Sequence, residues 1–297
     1  MAIYERAEQI QILKERYVKQ SVGRDNLLKM ITESELPEMV YNSNAIENST
    51  LTLAETERIL LEQEIMRSVS ARETYEAINL GRVIKYLWTK PNYPLTIENL
   101  ELLHQMLLGG INDRYAGHVR GTDEWVRIGN HIAPAPELVK PMLNSLLAKY
   151  QSNDQAYFLE QIAHFHLEFE FIHPFLDGNG RMGRVLINQL LAALGYPPII
   201  IPNKNKRVDY YPNFVAYQKD RDTEKPVSVT KFTKILALYI LESLHKRLAY
   251  LNGYEIITVV EYANRNDLSV NSALNSSKRQ TLPAFRQSNV WKIGVPL

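Results

Sequence analysis

The run His173-Pro174-Phe175-Leu176-Asp177-Gly178-Asn179-Gly180-Arg181-Met182-Gly183-Arg184 brings an imidazole, a carboxylate, glycines and two guanidinium groups together within twelve residues. Upstream, Ala156 to Phe171 has helical periodicity, with Ile162, Phe165, Phe169 and Ile172 apolar at steps of three and four; downstream, Val185 to Leu194 is a second helical run. The run therefore marks a helix-loop-helix corner in a mainly α chain. Pro174 disfavours the α region for His173 and pushes it toward an extended conformation, so the first helix ends at or before Ile172 and the imidazole stands at the lip of the loop. Gly178 and Gly180 let backbone N–H groups turn inward, and a helix starting near Asn179 adds unpaired donors and a positive dipole end. A phosphate fits such a place. Arg181 and Arg184 share one side of the first turn, where their forks suit phosphate oxygens. Asp177 would repel a bare phosphate, which makes sense if a divalent cation such as Mg²⁺ bridges the two.

Gly178, Gly180 and Gly183 also satisfy G-x-G-x-x-G, the dinucleotide-binding fingerprint. That fingerprint follows a strand and needs an acidic residue about 20 positions later, whereas here a helix precedes it and Ile199 to Asn205 has no carboxylate. The phosphate cradle survives this comparison and the Rossmann fold does not.

At 297 residues the chain can hold a large domain plus a small one, and a net charge of +1 points to no partner. With no cysteine, disulfides, thiolate metal sites and thiol catalysis are excluded, which fits an intracellular, cytoplasmic protein. Met1 to Gln11 has no apolar signal core. The longest apolar stretch, Val185 to Ile201, is broken by Asn188, Gln189, Gly195, Pro197 and Pro198, so no membrane span is expected.

From the start, residues 3 to 20 and 24 to 32 read as short helices separated at Gly23. Leu36 to Asn48 reads as another, with Pro37 in its first turn and Ser43 and Glu47 one turn apart at its end. Taken alone, that pair is an ordinary solvated helix end. Leu53 to Ser68, Ala71 to Trp88 and Ile97 to Leu108 follow, the last running from a Thr96 cap to Gly109-Gly110. Trp125-Val126-Arg127-Ile128 then alternates, Gly129-Asn130 turns, and His131-Ile132-Ala133 returns, which predicts a small hairpin flap ahead of a helix from Leu138 to Tyr150. After the run, Val208 to Lys219 carries Tyr210, Tyr211, Phe214 and Tyr217 at helical spacing, and Val229 to Leu251 is a long amphipathic helix with His245 read as a surface residue. His164 and His166 point to different faces and read as structural.

Beyond Gly253, Ile257 to Ala263 reads as a capped helix, Ser269 to Ser276 as a second, and Thr281 to Phe285 with Val290 to Ile293 as a two-stranded wing. The expected organisation is a domain over 1–252 and a winged helix-turn-helix module over 253–297. The module carries Arg265, Lys278, Arg279, Arg286 and Lys292 against Glu255, Glu261 and Asp267, a net of +2, too slight by itself to establish DNA binding.

The run matches the H-x-F-x-D-G-N-G-R-x-x-R motif of the Fic family of AMP-transferring enzymes without departure. Ser43 to Asn48 is similar to that family's inhibitory S/T-x-x-x-E-G/N motif, and the flap lies where the family has its target-docking hairpin, so the resemblance spans about residues 36 to 250. The tail resembles excisionase-like helix-turn-helix modules. The Fic resemblance implies Mg²⁺-dependent transfer of AMP from the co-substrate ATP to a Ser, Thr or Tyr hydroxyl of a protein. His173 would be the base, Asp177 the metal ligand, and Gly178, Asn179 and Gly180 the phosphate cradle. Arg181 would face the departing pyrophosphate and Arg184 the γ phosphate. ATP contacts would extend to Met182, Gly183 and Glu47, to the flap residues Val126, Arg127, Ile128 and Gly129, and to Tyr210 and Tyr211. Gln218 replaces an asparagine that the family often has. Ser43, Glu47 and Asn48 would form the inhibitory element, with Glu47 paired to Arg184 on a helix over about 36–48. Removal of AMP, a DNA-binding regulator with the Fic domain as sensor, and a homodimer stay open.

Overall fold

Ser70 and Thr96 sit in extended backbone and accept from the N–H groups of Glu73 and Asn99, and from these caps run two helices whose limits match the sequence expectation. The computed structural model describes residues 3–62, 69–129, 131–152, 157–223 and 225–297. Helices α1 to α10 are Ile3–Ser21, Asp25–Ile46, Leu53–Glu57, Ala71–Trp88, Ile97–Leu108, Pro136–Ser152, Phe158–Ile172, Asn179–Ala193, Tyr211–Asp222 and Thr230–Leu251. A π-helical turn, Arg58–Glu62, extends α3, and another, Lys206–Tyr210, leads into α9. The expected helix through Ser68 is therefore α3 plus that turn, and residues 63–68 lie outside the described ones, as do Asn130 and Ala156.

The chain divides into two compact units. One comprises Leu36–Gly195 and Ile201–Thr233. Its centre is α7, which buries Leu159, Ile162, Phe165, Phe169 and Ile172, packed against α8, which buries Met182, Leu186, Leu190 and Leu191. The apolar spacing of the two runs exists to make this pair, and burial of each large side chain contributes about 1.5–3 kcal/mol. On the same unit α4 packs on α5, and Asn79 donates to the carbonyls of Leu107 and Gly109 at 3.1 and 2.8 Å, satisfying the end of α5. The flap is a two-residue ladder: β1, Arg127–Ile128, pairs antiparallel with β2, His131–Ile132.

Pro37 does not begin a helix. It lies inside α2, and Leu36, Met39 and Val40 beside it are buried, a packing gain that offsets the lost backbone bond.

The other unit comprises Met1–Glu35, Tyr196–Ile200 and Lys234–Leu297. Here Glu35 receives a two-pronged Arg247 fork and Lys246 at 2.8 Å, all buried on α10 and the first part of α2. Beyond α10 come β3, Glu255–Thr258, helices α11, Val259–Arg265, and α12, Val270–Lys278, then β4, Ala284–Gln287, and β5, Val290–Val295. The sheet order is β3-β5-β4, antiparallel throughout. Ile257 and its neighbours, read from sequence as the start of a helix, form a strand because Ile257 pairs with Ile293, a partner no local pattern reveals. His245 is buried rather than on the surface, with Nδ1 2.9 Å from Gln280 Oε1.

Candidate active site

His173 closes α7 in the left-handed region, φ 50° and ψ 63°, not in the extended conformation expected before Pro174. Both regions avoid the right-handed one that Pro174 disfavours, and the His173 N–H makes the last helical bond, to the Phe169 carbonyl at 2.9 Å. The ring Nδ1 lies 3.3 Å from the Glu170 carbonyl, which can only accept, so Nδ1 carries the proton and Nε2 the lone pair. Burial pushes this imidazole down to about 4, so it is neutral at pH 7. The group at the lip of the loop is ready to take a proton.

The loop after it is clamped by one side chain. Asn179 accepts from the Phe175 N–H at 2.9 Å and donates to the Phe175 carbonyl at 2.8 Å, so its amide shapes the cradle while only its backbone is left to face a phosphate. His104 of α5, which the sequence reading passed over, stacks on Phe175 at 3.8 Å. The Gly117 N–H donates to its Nδ1 at 3.1 Å, which fixes the proton on Nε2, and that donates to the Asp177 carbonyl at 2.9 Å. Burial pushes His104 to about 4. Its only sequence signal is a polar ring on the α5 face that buries Leu100, Leu103 and Leu107.

Gly178 is the N-cap of α8 at φ 79° and contributes no side-chain cap, leaving the first-turn N–H groups facing the loop. A Cβ at Gly178 would press on Leu107 at 3.2 Å. A Cβ at Gly180 would overlap the Glu47 carboxylate, which therefore lies directly on the first turn of α8. One turn on, Gly183 faces the Glu170 carboxyl and the His166 ring. Burial, then the charge of Glu47, pushes Glu170 up to about 8, so that acid is neutral at pH 7. Met182 is fully buried and serves the core.

Arg181, 4% exposed, lies 3.2 Å from Asp177 Oδ1 and 3.3 Å from Glu76 Oε1, and Arg72 bridges Asp177 Oδ2 and the same Glu76 oxygen at 2.8 and 3.0 Å. The Asp177 side chain is 34% exposed, and no cluster of three metal-ligating side chains occurs among the described residues. One half-exposed carboxylate fits a Mg²⁺ ion that brings phosphate and water oxygens with it, and does not fit an all-protein cage.

Arg184 is buried and fully engaged. Its Nε donates to Ser43 Oγ at 2.9 Å, Nη2 to the Ser43 carbonyl at 2.8 Å and to Glu47 Oε1 at 2.8 Å, and Nη1 to the Tyr210 hydroxyl at 3.4 Å. Glu47 is held at the end of α2 by a C-cap. Asn48 takes φ 69°, its N–H bonds the Ala45 carbonyl at 3.2 Å, and the Ser49 N–H bonds the Asn44 carbonyl at 3.0 Å, the paired bonds of a Schellman turn. This explains why glycine or asparagine belongs after the glutamate. Lys206 Nζ caps the same end through the carbonyls of Ala45 and Ile46 at 2.7 and 3.0 Å and Asn48 Oδ1 at 2.9 Å, and Tyr211 donates to the Ile46 carbonyl at 2.6 Å. Tyr210 is buried, its hydroxyl 2.9 Å from His166 Nε2. Lys206 carries no sequence motif and was not anticipated.

On the flap, Arg127 stands opposite Ile132 and Ile128 opposite His131. The His131 ring packs on Phe171 at 4.9 Å, while Trp125 and Ile132 are 58% and 64% exposed. Gly129 turns the hairpin at φ 59°, and the Arg127 Nε donates to its carbonyl at 2.9 Å.

The site thus joins a neutral imidazole, an uncapped helix N-terminus and a carboxylate lodged on that turn. Residues 94–191 match the family described as the Fic/DOC family, and this stretch, from α5 through α8, is a Fic domain. Two relatives named Protein adenylyltransferase Fic come from Nematostella vectensis, 33% identical over 177 residues, and Drosophila persimilis, 31% identical over 220 residues. The first alignment covers 58% of this chain and 41% of the relative, the second 69% and 42%, so the chain spans less than half the length of these relatives. The fold resembles that of Fic-1 from C. elegans, with TM-score 0.67 and 23% identity over 82% of this chain and 71% of that one. It also resembles a Fic family protein from Desulfovibrio desulfuricans, with TM-score 0.63 and 18% identity over 98% and 96%. No helix among the described residues is long and apolar enough to cross a membrane.

Proposed function

We propose that this protein transfers AMP from ATP to a Ser, Thr or Tyr hydroxyl of a protein, itself included, and that Glu47 restrains it. The observation that carries this reading is the neutral His173 beside an α8 N-terminus on which Glu47 already rests. His173 Nε2 takes the hydroxyl proton, the hydroxyl oxygen bonds the α phosphorus, and the bond from that phosphorus to the pyrophosphate oxygen breaks. The first-turn N–H groups of α8 and the Arg181 guanidinium receive the phosphate charge that builds up. Asp177 would hold Mg²⁺, whose chemistry there is to neutralise phosphate charge. The β1 edge would receive the target as an added strand and bring its hydroxyl to His173. Glu47 competes with the γ phosphate for Arg184. Relatives bearing the adenylyltransferase name support the reaction class. Mass spectrometry after incubation with ATP and Mg²⁺, wild type beside Glu47→Gly, tests it: an added AMP on the variant or on an offered protein supports the reading, and none on either removes it. Release of AMP from a purified modified target would instead assign Glu47 to positioning a water.

A second reading takes 253–297 as a winged helix-turn-helix module that binds DNA. Arg265 is tied to Glu255 and Glu261, and Arg286 to Glu242, which leaves half-buried Lys292 on β5 and exposed Lys278 and Arg279 at the end of α12, beside exposed Asn271 and Asn275. A shift of duplex DNA by the full chain that weakens with salt supports it, and none at low salt removes it.

A further inference from the structure

Arg120 is 1% exposed, and burial lowers its pKa. Its guanidinium spends its donors on backbone carbonyls: Nε on His173 at 2.8 Å, Nη2 on Ile172 at 3.0 Å and Pro134 at 2.6 Å, and Nη1 on Glu124 at 3.3 Å. Its own N–H donates to the Pro174 carbonyl at 2.8 Å. Two of these acceptors end α7, where the helix leaves carbonyls unpaired and the dipole favours a cation. The other two are the stems of the flap, since Glu124 precedes β1 and Pro134 follows β2, just outside the bond from Ala133 N–H to the Val126 carbonyl. A buried cation is costly to keep, and a lysine, with a single nitrogen, cannot span four carbonyls on two segments. The fork also grips His173 at the carbonyl beyond its positive φ, a backbone state that side chains rarely hold unaided.

We infer that Arg120 is a positioning residue that locks the flap stems and the His173 backbone to each other, so that a strand seated on the flap presents its hydroxyl at a fixed distance from the base. The kinetic consequence rests on the AMP-transfer reading; the mechanical linkage does not.

Hydrogen–deuterium exchange on the full chain reads the linkage directly. In Arg120→Lys, amides of 124–134 and of 172–176 should exchange together, each about tenfold faster, while α4 and the interior of α5 keep wild-type rates. Loosening of only one of the two segments overturns the inference, as does loosening of neither. In the Glu47→Gly background, Arg120→Lys should lower kcat for transfer about thirtyfold and raise KM for the target, with the Kd for ATP within about threefold. An unchanged kcat, or a kcat loss matched by an equal loss of ATP binding, also overturns it. If Glu47→Gly by itself transfers no AMP, the functional reading fails, and the exchange experiment alone decides the linkage. Should Arg120→Lys not fold, Glu124→Ala takes its place: it removes the 2.7 Å bond from Gly121 N–H to the Glu124 carboxylate that aims the Glu124 carbonyl. The same paired loosening is then expected, and loosening confined to 124–134 overturns the proposal.

Discussion

Glu47 Oε1 lies 2.8 Å from Arg184 Nη2, although the two residues stand 137 positions apart and only the arginine is buried. The glutamate side chain is 42% exposed, so the restraint proposed for it would be a latch with one free side. Glu47→Gly empties the first turn of α8 and frees Arg184. AMP transfer should rise about a hundredfold, equivalent to ~2.7 kcal/mol of inhibition. A labelled-ATP assay that finds no gain over wild type sinks the latch.

Asn48 sets where Glu47 sits. Asn48→Val forces a β-branched residue into φ 69°, at a cost of about 1–2 kcal/mol at the end of α2, whereas Asn48→Gly keeps the turn. The valine variant should be partly activated and the glycine variant as restrained as wild type. Equal basal rates in the two, measured with the same assay, would show that the cap does not place the glutamate.

If His173 acts as the base in its neutral form, its pKa of about 4 means that transfer should hold its pH 7 level down to about pH 5 and decline below that. An ordinary histidine would begin to lose activity near 6.5. Stability has its own pH dependence. His104, His173 and His245, all near 4, and His166, near 3, take up protons in the unfolded chain at about 6.5, before the folded chain does, so stability is full above 6.5 and falls as pH drops toward 4. Glu170 works the other way: the folded chain keeps its proton to about 8 while the unfolded chain gives it up near 4.5, so its contribution is lost as pH rises through 8. The melting temperature should peak near pH 6.5. A curve rising steadily to pH 8.5 would contradict these assignments.

Gly183→Ala drives a methyl into the Glu170 carboxyl, on a side chain 12% exposed, and into the fully buried His166 ring. Overpacking of this kind costs about 1–3 kcal/mol. Thermal denaturation should show a clear drop, and an unchanged melting temperature would mean that α7 and α8 yield there more easily than their packing suggests.

What could be read from the sequence follows how local each cause is. The limits of α4 and α5 were legible because Ser70, Thr96 and Gly109 act within one turn. The loop from His173 to Arg184 was legible as one short motif, and the contact of Glu47 with Arg184 was expected from the family resemblance alone. Pro37 misled because burial around it overrides a local preference, and β3 was missed because its partner lies about 35 residues downstream in β5. His104, Arg120 and Lys206 were invisible for a related reason: most of their partners are backbone carbonyls or ring faces distant in sequence, which no spacing encodes.

Asp177 is flanked by Arg72 and Arg181, and Glu76 joins both arginines. This ladder of alternating sign is already neutral, so Mg²⁺ alone would have to displace a guanidinium to reach the carboxylate and would gain little from doing so. Under the proposed function a nucleotide would change the exchange, because its phosphates would offer a displaced arginine a new anion. Metal and nucleotide would then bind as a single ligand: calorimetry should find no Mg²⁺ uptake without ATP, and Arg72→Ala should allow it. In the free protein Arg72 and Arg181 occupy the place beside Asp177 that a metal would take, and under the proposed function the substrate would arrive by trading for one of them.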